Sequence, residues 1–382
     1  MLSLFLDAKP LFYDAIDYMR MPRVYARIKE RFQLRKVIHI IGTNGKGTTG
    51  RFLATALYKL GYNTGHYTSP HIVEFNERIW FNGHNISMEI LQSVHQELLS
   101  ILTQDEAQRL SYFEYTTLLA MLFFSKRSDF IILEAGLGGE YDATTVFENI
   151  LTLVTPIDKD HEAFLGENIS DIAQTKLSAI QSSAILAKQR YKEVYKSLQM
   201  IREHKSITTY SYEELLGHKD YREIENIAKH EELVPYLVQN LSLAIAALNY
   251  LEINYSAENF YSARLFGRLS VLEKNILIDV GHNVLAAKSI LESLKGKKYI
   301  LIYNSYKDKN YKEILSILKP IISRVELIDV CNARVAKSTF LQEALKKLDI
   351  EYSRFEKIDK KEEYLVFGSF SVAEAFLRVY YE

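Results

Sequence analysis

Short, almost wholly apolar runs recur along this chain, each bounded by turn residues and about as long as a buried strand. Runs that are apolar on both faces suit parallel sheets covered by helices better than half-exposed hairpins. Stretches with a helical spacing of apolar residues lie between them, as in "TTGRFLATALYKLG". The alternation predicts an α/β architecture with right-handed crossovers. The runs are "KVIHIIG", "DFIILEAG", "ILTLVTP", "SAILAK", "NILIDVG", "KKYILIYN", "RVELIDV" and "EEYLVFGS".

The chain of 382 residues is longer than one hydrophobic core usually sustains. In its middle, a strongly polar stretch gives way to a long apolar helix pattern, "PYLVQNLSLAIAALNYL". The segment after that helix has no clear period, and strand-like runs resume at Asn275. We therefore predict a larger domain at 1–251, a linker at 252–262 and a smaller α/β domain at 263–382.

The composition of the chain limits which binding partners are expected. A net charge of −1 gives no bulk attraction to nucleic acid or to an anionic membrane, so neither is an expected partner. The single Cys331 rules out an internal disulfide framework. The start of the chain lacks the basic region of a signal peptide, and no run of about 18 apolar residues suggests a membrane span. We expect a soluble, monomeric, cytoplasmic protein.

A glycine-rich loop, "GTNGKGTT", follows the first apolar run and precedes a helix expected to start at Thr48 or Thr49. In that geometry backbone N–H groups face an anion at a helix N-terminus, and phosphate is the expected guest. Lys46 would add a mobile positive charge, and the Thr48 hydroxyl suits Mg²⁺. We predict ATP or GTP binding, with a purely structural turn as the alternative. The other loop residues in this prediction are Gly42, Thr43, Asn44, Gly45 and Gly47.

The loop resembles that of the Mur ligase superfamily, specifically the dihydrofolate synthase/folylpolyglutamate synthase family, in which a glycine separates lysine from threonine. Further stretches resemble that family's motifs in the same order, and together they extend from about residue 39 to 370. They are "YTSPHIVEFNERI", "FEYTTLLAMLFF", "ILEAGLGGEYDATT", "IDKDHEAFLGENISDIAQTK", "LIDVGHNVLA", "SYKDKN" and "GSF". The chain departs from the family at Thr175, Leu177 and Ser178, and it lacks prolines next to Gly267 and Asn283.

The resemblance implies an ATP-dependent ligase that adds L-glutamate to 7,8-dihydropteroate and to reduced folates through an acyl phosphate. It also implies a larger phosphate-loop-type domain with a mostly parallel sheet and a smaller Rossmann-like C-terminal domain. Such a reaction gathers triphosphate, carboxylate and developing negative charge in one place. It therefore needs cations and preorganised donors more than a nucleophilic side chain.

Two Mg²⁺ ions are implied by the resemblance. Thr48, Ser69 and Glu134 would bind one of them through oxygen. His161 and Lys176 would bind the second, with Lys176 carrying CO₂ as a carbamate. Each residue has a plainer interpretation: a turn for Ser69, a structural ion pair for Glu134, a structural histidine for His161 and a solvated lysine for Lys176.

The resemblance also assigns nucleotide, substrate and catalytic positions. Asn240, Arg268 and Asp279 would contact ATP. The folate-type substrate would lie along the segment 68–80, with Phe75, Trp80 and Phe81 available for stacking. The remaining substrate positions are Ser69, Pro70, His71, Arg78 and Lys309, and the catalytic ones are Lys46, Lys176, His282 and Ser369.

Two other functions remain open from the residues. A cell-wall ligase acting on a UDP-sugar peptide is disfavoured by the short region before the phosphate loop and by the "SPH" and "FEYTT" stretches. A binding module that hydrolyses ATP slowly would share the phosphate loop. Phosphate release that requires both a pteroate-type acid and glutamate separates a synthase from such a switch.

Overall fold

The computed structural model describes residues 1–10, 17–33, 35–160, 165–166 and 168–381. The chain forms two compact units, one of Met1–Leu233 with Leu237–Ala263 and one of Val234–Tyr236 with Arg264–Glu382. Residues 252–262, the predicted linker, pack into the first unit, where Phe260 is fully buried. The assignment of separate functions to the two domains stays a prediction.

Within the described residues, eight strands form the sheet of the first unit in the order β4-β3-β2-β5-β1-β6-β7-β8. All neighbouring pairs from β2 to β8 are parallel, whereas β3 and β4 add an antiparallel edge. The predicted mostly parallel sheet is confirmed. The strands are β1 (Lys36–Ile41), β2 (Thr64–Tyr67), β3 (Ile79–Phe81), β4 (His84–Asn85), β5 (Phe130–Glu134), β6 (Leu151–Val154), β7 (Ser183–Leu186) and β8 (Thr208–Ser211).

Helices cover both faces of this sheet because alternate residues of its central strands point to opposite sides. On β5, Ile131 and Leu133 belong to one apolar cluster, while Phe130 and Ile132 belong to another. No helix of the described residues is long and apolar enough to span a membrane. The helices are α1 (Leu2–Asp7), α2 (Arg20–Ile28), α3 (Lys46–Lys59), α4 (Met88–Ile101), α5 (Gln104–Arg109), α6 (Tyr112–Ser125), α7 (Ile169–Leu177), α8 (Lys192–Lys205), α9 (His218–His230) and α10 (Pro235–Tyr250).

The second unit has its own sheet, in the order β13-β12-β11-β14-β10-β9 among the described residues. All pairs are parallel except β10 with β9. Its strands are β9 (Ser270–Glu273), β10 (Ile276–Asp279), β11 (Tyr299–Tyr303), β12 (Ile322–Leu327), β13 (Tyr352–Arg354) and β14 (Tyr364–Phe367). Its helices are α11 (Val284–Ser293), α12 (Tyr311–Leu318), α13 (Ser338–Lys347) and α14 (Phe370–Tyr381), and the first residues of α10 also belong to this unit.

Two local features differ from the sequence prediction. Helix α3 begins at Lys46, two or three residues before the predicted start, because Gly45 adopts a left-handed conformation and occupies the N-cap. Strand β2 does not stand out as an apolar run because it contains Gly65 and His66. A Cβ atom at Gly65 would lie 2.4 Å from the ring of Phe124, so glycine here permits α6 to pack on the sheet.

We predict that Gly65→Ala destabilises the first unit by about 1–3 kcal/mol, because the added methyl group overpacks the contact with Phe124. Gly217→Ala is the matched control, since a Cβ atom there meets only an Asp220 oxygen at 3.7 Å. Urea unfolding followed by circular dichroism measures both variants. Equal midpoints for the two variants would contradict the packing argument.

Candidate active site

Three segments that carry predicted site residues leave the same edge of the first sheet. The neighbouring parallel strands β2, β5 and β1 end at Tyr67, Glu134 and Ile41, and Glu134 is in register with Ile40. Beyond these ends lie Thr68 and Ser69, the turn after Glu134, and the glycine-rich loop. The carboxyl edge of a parallel sheet is where open α/β folds bind ligands.

Two glycines of the loop are required by close packing as well as by conformation. Gly42 has φ +134° and Gly45 has φ +92°. A Cβ atom at Gly42 would lie 2.1 Å from Thr155 Oγ1, and one at Gly45 would lie 2.4 Å from Asn240 Oδ1. The loop therefore rests on Thr155, after β6, and on Asn240, one of the predicted nucleotide residues.

Part of the loop is held by its own hydrogen bonds. The backbone N–H groups of Thr43 and Asn44 donate to the Pro156 carbonyl at 3.0 and 3.4 Å. The Thr43 hydroxyl donates to the Asp158 carbonyl and accepts from the Asp158 N–H, both at 3.0 Å. Thr43 thus fixes the loop. Since Gly45 offers no side chain to cap α3, the first turn of that helix presents the N–H groups suited to an anion.

Two lysines approach one carbonyl oxygen of the loop. Lys46 Nζ lies 3.3 Å from the Gly42 oxygen, and Lys176 Nζ donates to the same oxygen at 3.1 Å and to the Leu137 carbonyl at 2.5 Å. Lys176 is only 1% exposed, which excludes the solvated-lysine interpretation. Burial first, and then the charge of Lys46, lower the pKa of Lys176 to about 7.

Asp142 organises the turn that receives Lys176. Its carboxylate accepts from the N–H groups of Leu137 and Gly138 at 3.1 and 2.9 Å. The Leu137 carbonyl accepts a hydrogen bond from Lys176. The sequence analysis did not single out Asp142, although it lies inside the "ILEAGLGGEYDATT" stretch. The sequence feature that could have indicated Asp142 is the glycine-rich turn itself, because its several N–H groups require an acceptor.

Glu134 is buried, 4% exposed, and its Oε2 atom accepts from the Thr68 hydroxyl and from the Ser69 N–H, the latter at 3.3 Å. Thr68 was predicted only as the start of the substrate segment, and its hydrogen bond to Glu134 was not predicted. The Thr48 hydroxyl is buried and has no hydrogen-bond partner within the described residues. A buried carboxylate and a buried hydroxyl without a partner fit a hard cation such as Mg²⁺.

No cluster of three or more histidine, cysteine or acidic side chains suited to a metal occurs in the described part of the chain. A metal at this edge would therefore rely on hydroxyl oxygens and bound phosphate as well as on Glu134. His161, the predicted imidazole ligand, lies outside the described residues.

A cluster of partly buried aromatic side chains surrounds a buried cation after β2. Arg78 Nε donates to His71 Nδ1 at 2.8 Å, and the Arg78 guanidinium lies 5.1 Å from the centre of the Tyr112 ring. Phe75 meets both rings edge-on, 6.3 Å from His71 and 6.4 Å from Tyr112. Burial, and then Arg78, lower the pKa of His71 to about 4, so His71 is a neutral acceptor at neutral pH.

The other two aromatic residues of the segment have structural roles. Trp80 is buried in the cluster that contains α3 and α10, and Phe81 packs edge-on against Phe123 at 5.4 Å. Because β3 pairs with β2, Trp80 lies in the core and is not available for stacking a substrate. Phe81 is partly buried, and its stacking on a substrate stays a prediction. Tyr112, which the sequence analysis did not name, contributes to the cluster instead.

The predicted residues of the second unit also gather at the carboxyl edge of a parallel sheet. Strands β10, β14 and β11 are neighbours, and the Gly368 N–H donates to the Gly281 carbonyl at 3.1 Å. His282 and Ser369 follow these two glycines, and Lys309 follows β11. Ser369 is buried, and its hydroxyl accepts from the Val372 N–H at 3.2 Å at the start of α14.

Arg268 and Lys309 supply positive charge near this edge. The Arg268 guanidinium lies 5.2 Å from the centre of the Phe370 ring. Lys309 Nζ lies 3.7 Å from an Asp308 oxygen, and Lys309 is largely buried. The Asp279 carboxylate accepts from the Gly281 and Leu269 N–H groups at 2.7 and 2.9 Å, so it ties the turn before His282 to the loop after Arg268.

Comparison with known proteins places this geometry in a family. No family model matches the chain. The dihydrofolate synthase/folylpolyglutamate synthase of Escherichia coli is 30% identical over 75% of this chain and 71% of its own.

Two solved structures extend the comparison to almost the whole chain. The folylpolyglutamate synthetase of Helicobacter pylori is 38% identical, covers 99% of this chain and 97% of its own, and superposes with a TM-score of 0.81. An ADP complex of the E. coli enzyme is 25% identical, with a TM-score of 0.80 and coverage of 96% and 94%. The chain therefore belongs to the dihydrofolate synthase/folylpolyglutamate synthase family of ATP-dependent ligases.

Proposed function

We propose that this ligase joins L-glutamate to 7,8-dihydropteroate and also to reduced folates that already carry glutamate, and that it does so as a monomer. The observation that carries the proposal is the convergence of the glycine-rich loop, Glu134 and Lys176 at one sheet edge in a member of this family. The solved E. coli relative is complexed with ADP, which supports ATP as the phosphate donor.

The first step needs a site for a triphosphate next to a carboxylic acid. The substrate carboxylate attacks the γ-phosphorus of ATP, ADP leaves, and the amine of glutamate then attacks the acyl carbon and expels phosphate. The first turn of α3 and Lys46 would bind the phosphates. Bound Mg²⁺ would neutralise charge on the phosphate oxygens, held by Thr48, Ser69 and Glu134 and, at a second ion, by His161 and Lys176.

The folate-type substrate would lie against the cluster of His71, Phe75, Arg78 and Tyr112. Partly buried rings offer stacking area for a flat bicycle, and Arg78 offers a charge for a carboxylate. Asn240 of the first unit and Arg268 of the second would serve ATP. His282, Lys309 and Ser369, also of the second unit, would serve the acyl phosphate and the incoming glutamate. Support for these roles is the gathering of the second-unit residues at one sheet edge.

The experiment that tests the function supplies ATP, labelled glutamate and either dihydropteroate or tetrahydrofolate, and reads the product masses. We expect a product one glutamate heavier with each acid, and phosphate release only when acid and glutamate are both present. Phosphate release that ignores both would indicate an ATPase switch. A product formed only from a UDP-sugar peptide would indicate a cell-wall ligase.

We predict that Glu134→Gln lowers the rate of product formation at least about a hundredfold, because an amide cannot replace the charge of a metal-binding carboxylate. Initial rates measured against Mg²⁺ concentration test this. Glu326→Gln is the matched control, since Glu326 is also buried but pairs with Arg324 on β12 at 3.0 Å. Wild-type turnover in Glu134→Gln would remove Glu134 from the metal site.

We further predict that Lys176 takes up CO₂. Its pKa of about 7 leaves the amine neutral and nucleophilic above that pH, so carboxylation should increase between pH 6 and pH 8. Native mass spectrometry in bicarbonate should show one added CO₂ in the wild type at pH 8 and little at pH 6.

Lys176→Met should lose this added mass. Lys9→Met is the control and should keep the added mass. Burial also lowers the pKa of Lys9, to about 8, but its two acceptors, the Ala107 and Leu110 carbonyls, lie at the end of α5 and not in the glycine-rich loop. Added mass that persists in Lys176→Met, or that is absent from the wild type at both pH values, would refute the carbamate.

A further inference from the structure

Tyr236 holds Asp279 in place. The Tyr236 hydroxyl donates to Asp279 Oδ2 at 2.8 Å, and both residues belong to the second unit. The same Oδ2 atom accepts from the Leu269 N–H at 2.9 Å, while Oδ1 accepts from the Gly281 N–H at 2.7 Å. Asp279 is only 5% exposed. Three protein donors thus occupy most of the accepting capacity of a buried carboxylate.

These hydrogen bonds place two functional segments. Leu269 follows Arg268 directly, and Gly281 precedes His282. Through Leu269 and Gly281, the carboxylate fixes the backbone next to the proposed ATP-binding arginine and next to the proposed catalytic histidine. The Gly281 carbonyl also accepts a hydrogen bond from the Gly368 N–H, so the turn that leads to Ser369 is tied to the same point.

We propose that Asp279 is a positioning residue for Arg268 and His282, and that the hydroxyl of Tyr236 orients its carboxylate. This inference rests on the proposed function, since it assigns Arg268 to ATP. It differs from the expectation that Asp279 itself contacts the nucleotide. Because the carboxylate is buried and bonded to three donors, its effect on ATP passes through the two backbone segments that it joins.

The electrostatic setting gives the proposal a distinct pH signature. Burial raises the pKa of Asp279, whereas Arg268, the two N–H groups and the Tyr236 hydroxyl oppose that rise. Burial and then Asp279 raise the pKa of Tyr236 well above its usual value, although Arg268 and Arg264 oppose this, so the hydroxyl stays protonated and donates. Loss of that donor disfavours the ionised carboxylate, and the pKa of Asp279 should rise further.

The test is Tyr236→Phe, which removes the hydroxyl and keeps the ring. We expect kcat/KM for ATP to fall about tenfold, the size of effect that one hydrogen bond to a charged group produces. Affinity for a non-hydrolysable ATP analogue, measured by calorimetry without acid or glutamate, should fall in parallel. The acidic limb of the pH–rate profile should move to higher pH, because a protonated Asp279 no longer accepts from its backbone partners.

Tyr255→Phe is the matched control. The Tyr255 hydroxyl donates to buried Asp220 at 2.6 Å, and Asp220 also accepts from the Gly217 N–H and the Asn249 amide, at 2.7 and 3.0 Å. This network lies in the first unit, and none of its residues is a predicted site residue. Tyr255→Phe should therefore leave the analogue affinity and the acidic limb unchanged, whatever its effect on thermal stability.

Asp279→Asn is the second variant, for the case in which Tyr236→Phe folds poorly. It should weaken binding of the analogue at least as much. The acidic limb of the pH–rate profile should also lose the contribution of Asp279, because an amide does not titrate. Unchanged analogue affinity together with an unmoved acidic limb in Tyr236→Phe would overturn the inference. Absence of glutamate-dependent product in the wild type would instead refute the proposed function and leave the analogue measurement as the test of positioning.

Discussion

The candidate active site depends on the burial of one lysine beside another. Lys176 is almost inaccessible, and its two acceptors within the described residues are the Gly42 and Leu137 carbonyls. An ammonium group in such a place loses its hydration and is repelled by the charge of Lys46, and both effects lower its pKa. An arrangement of this kind is stable as a neutral amine or beside bound anions.

The surrounding structure follows from this constraint. Gly42 can offer its carbonyl because the loop lies directly on Thr155, where no side chain fits. Leu137 can offer its carbonyl because Asp142 holds the neighbouring N–H groups. Glu134 and the Thr48 hydroxyl then add a buried carboxylate and a buried hydroxyl. A triphosphate and a divalent cation would satisfy both the positive charges and the unpaired hydroxyl.

The second unit uses the same physical arrangement at its own sheet edge. Adjacent parallel strands bring the turns at Gly281 and Gly368 into hydrogen-bonding distance, and a buried carboxylate organises the backbone between them. Asp279 in this unit and Asp142 in the first both act as acceptors for turns. In each unit the acidic residue accepts hydrogen bonds from the backbone of a turn. Nearby lysine and arginine side chains carry the positive charge that a substrate would meet.

The sequence could predict the central strands and the glycine-rich loop because burial on both faces and missing Cβ atoms leave local patterns. It could not predict that Trp80 points into the core, since that depends on the pairing of β3 with β2. Nor could it show that the Thr43 hydroxyl donates a hydrogen bond to the Asp158 carbonyl, more than a hundred residues away. The roles of Asp142 and Tyr112 and the bond from Thr68 to Glu134 were not predicted, because they arise only when distant segments meet.

The most direct test of the central claim is anomalous scattering from crystals grown with Mn²⁺ and a non-hydrolysable ATP analogue. We expect a peak between the Thr48 hydroxyl and the Glu134 carboxylate, with the phosphates at the first turn of α3. A peak at another place, or phosphates bound away from Lys46, would contradict it.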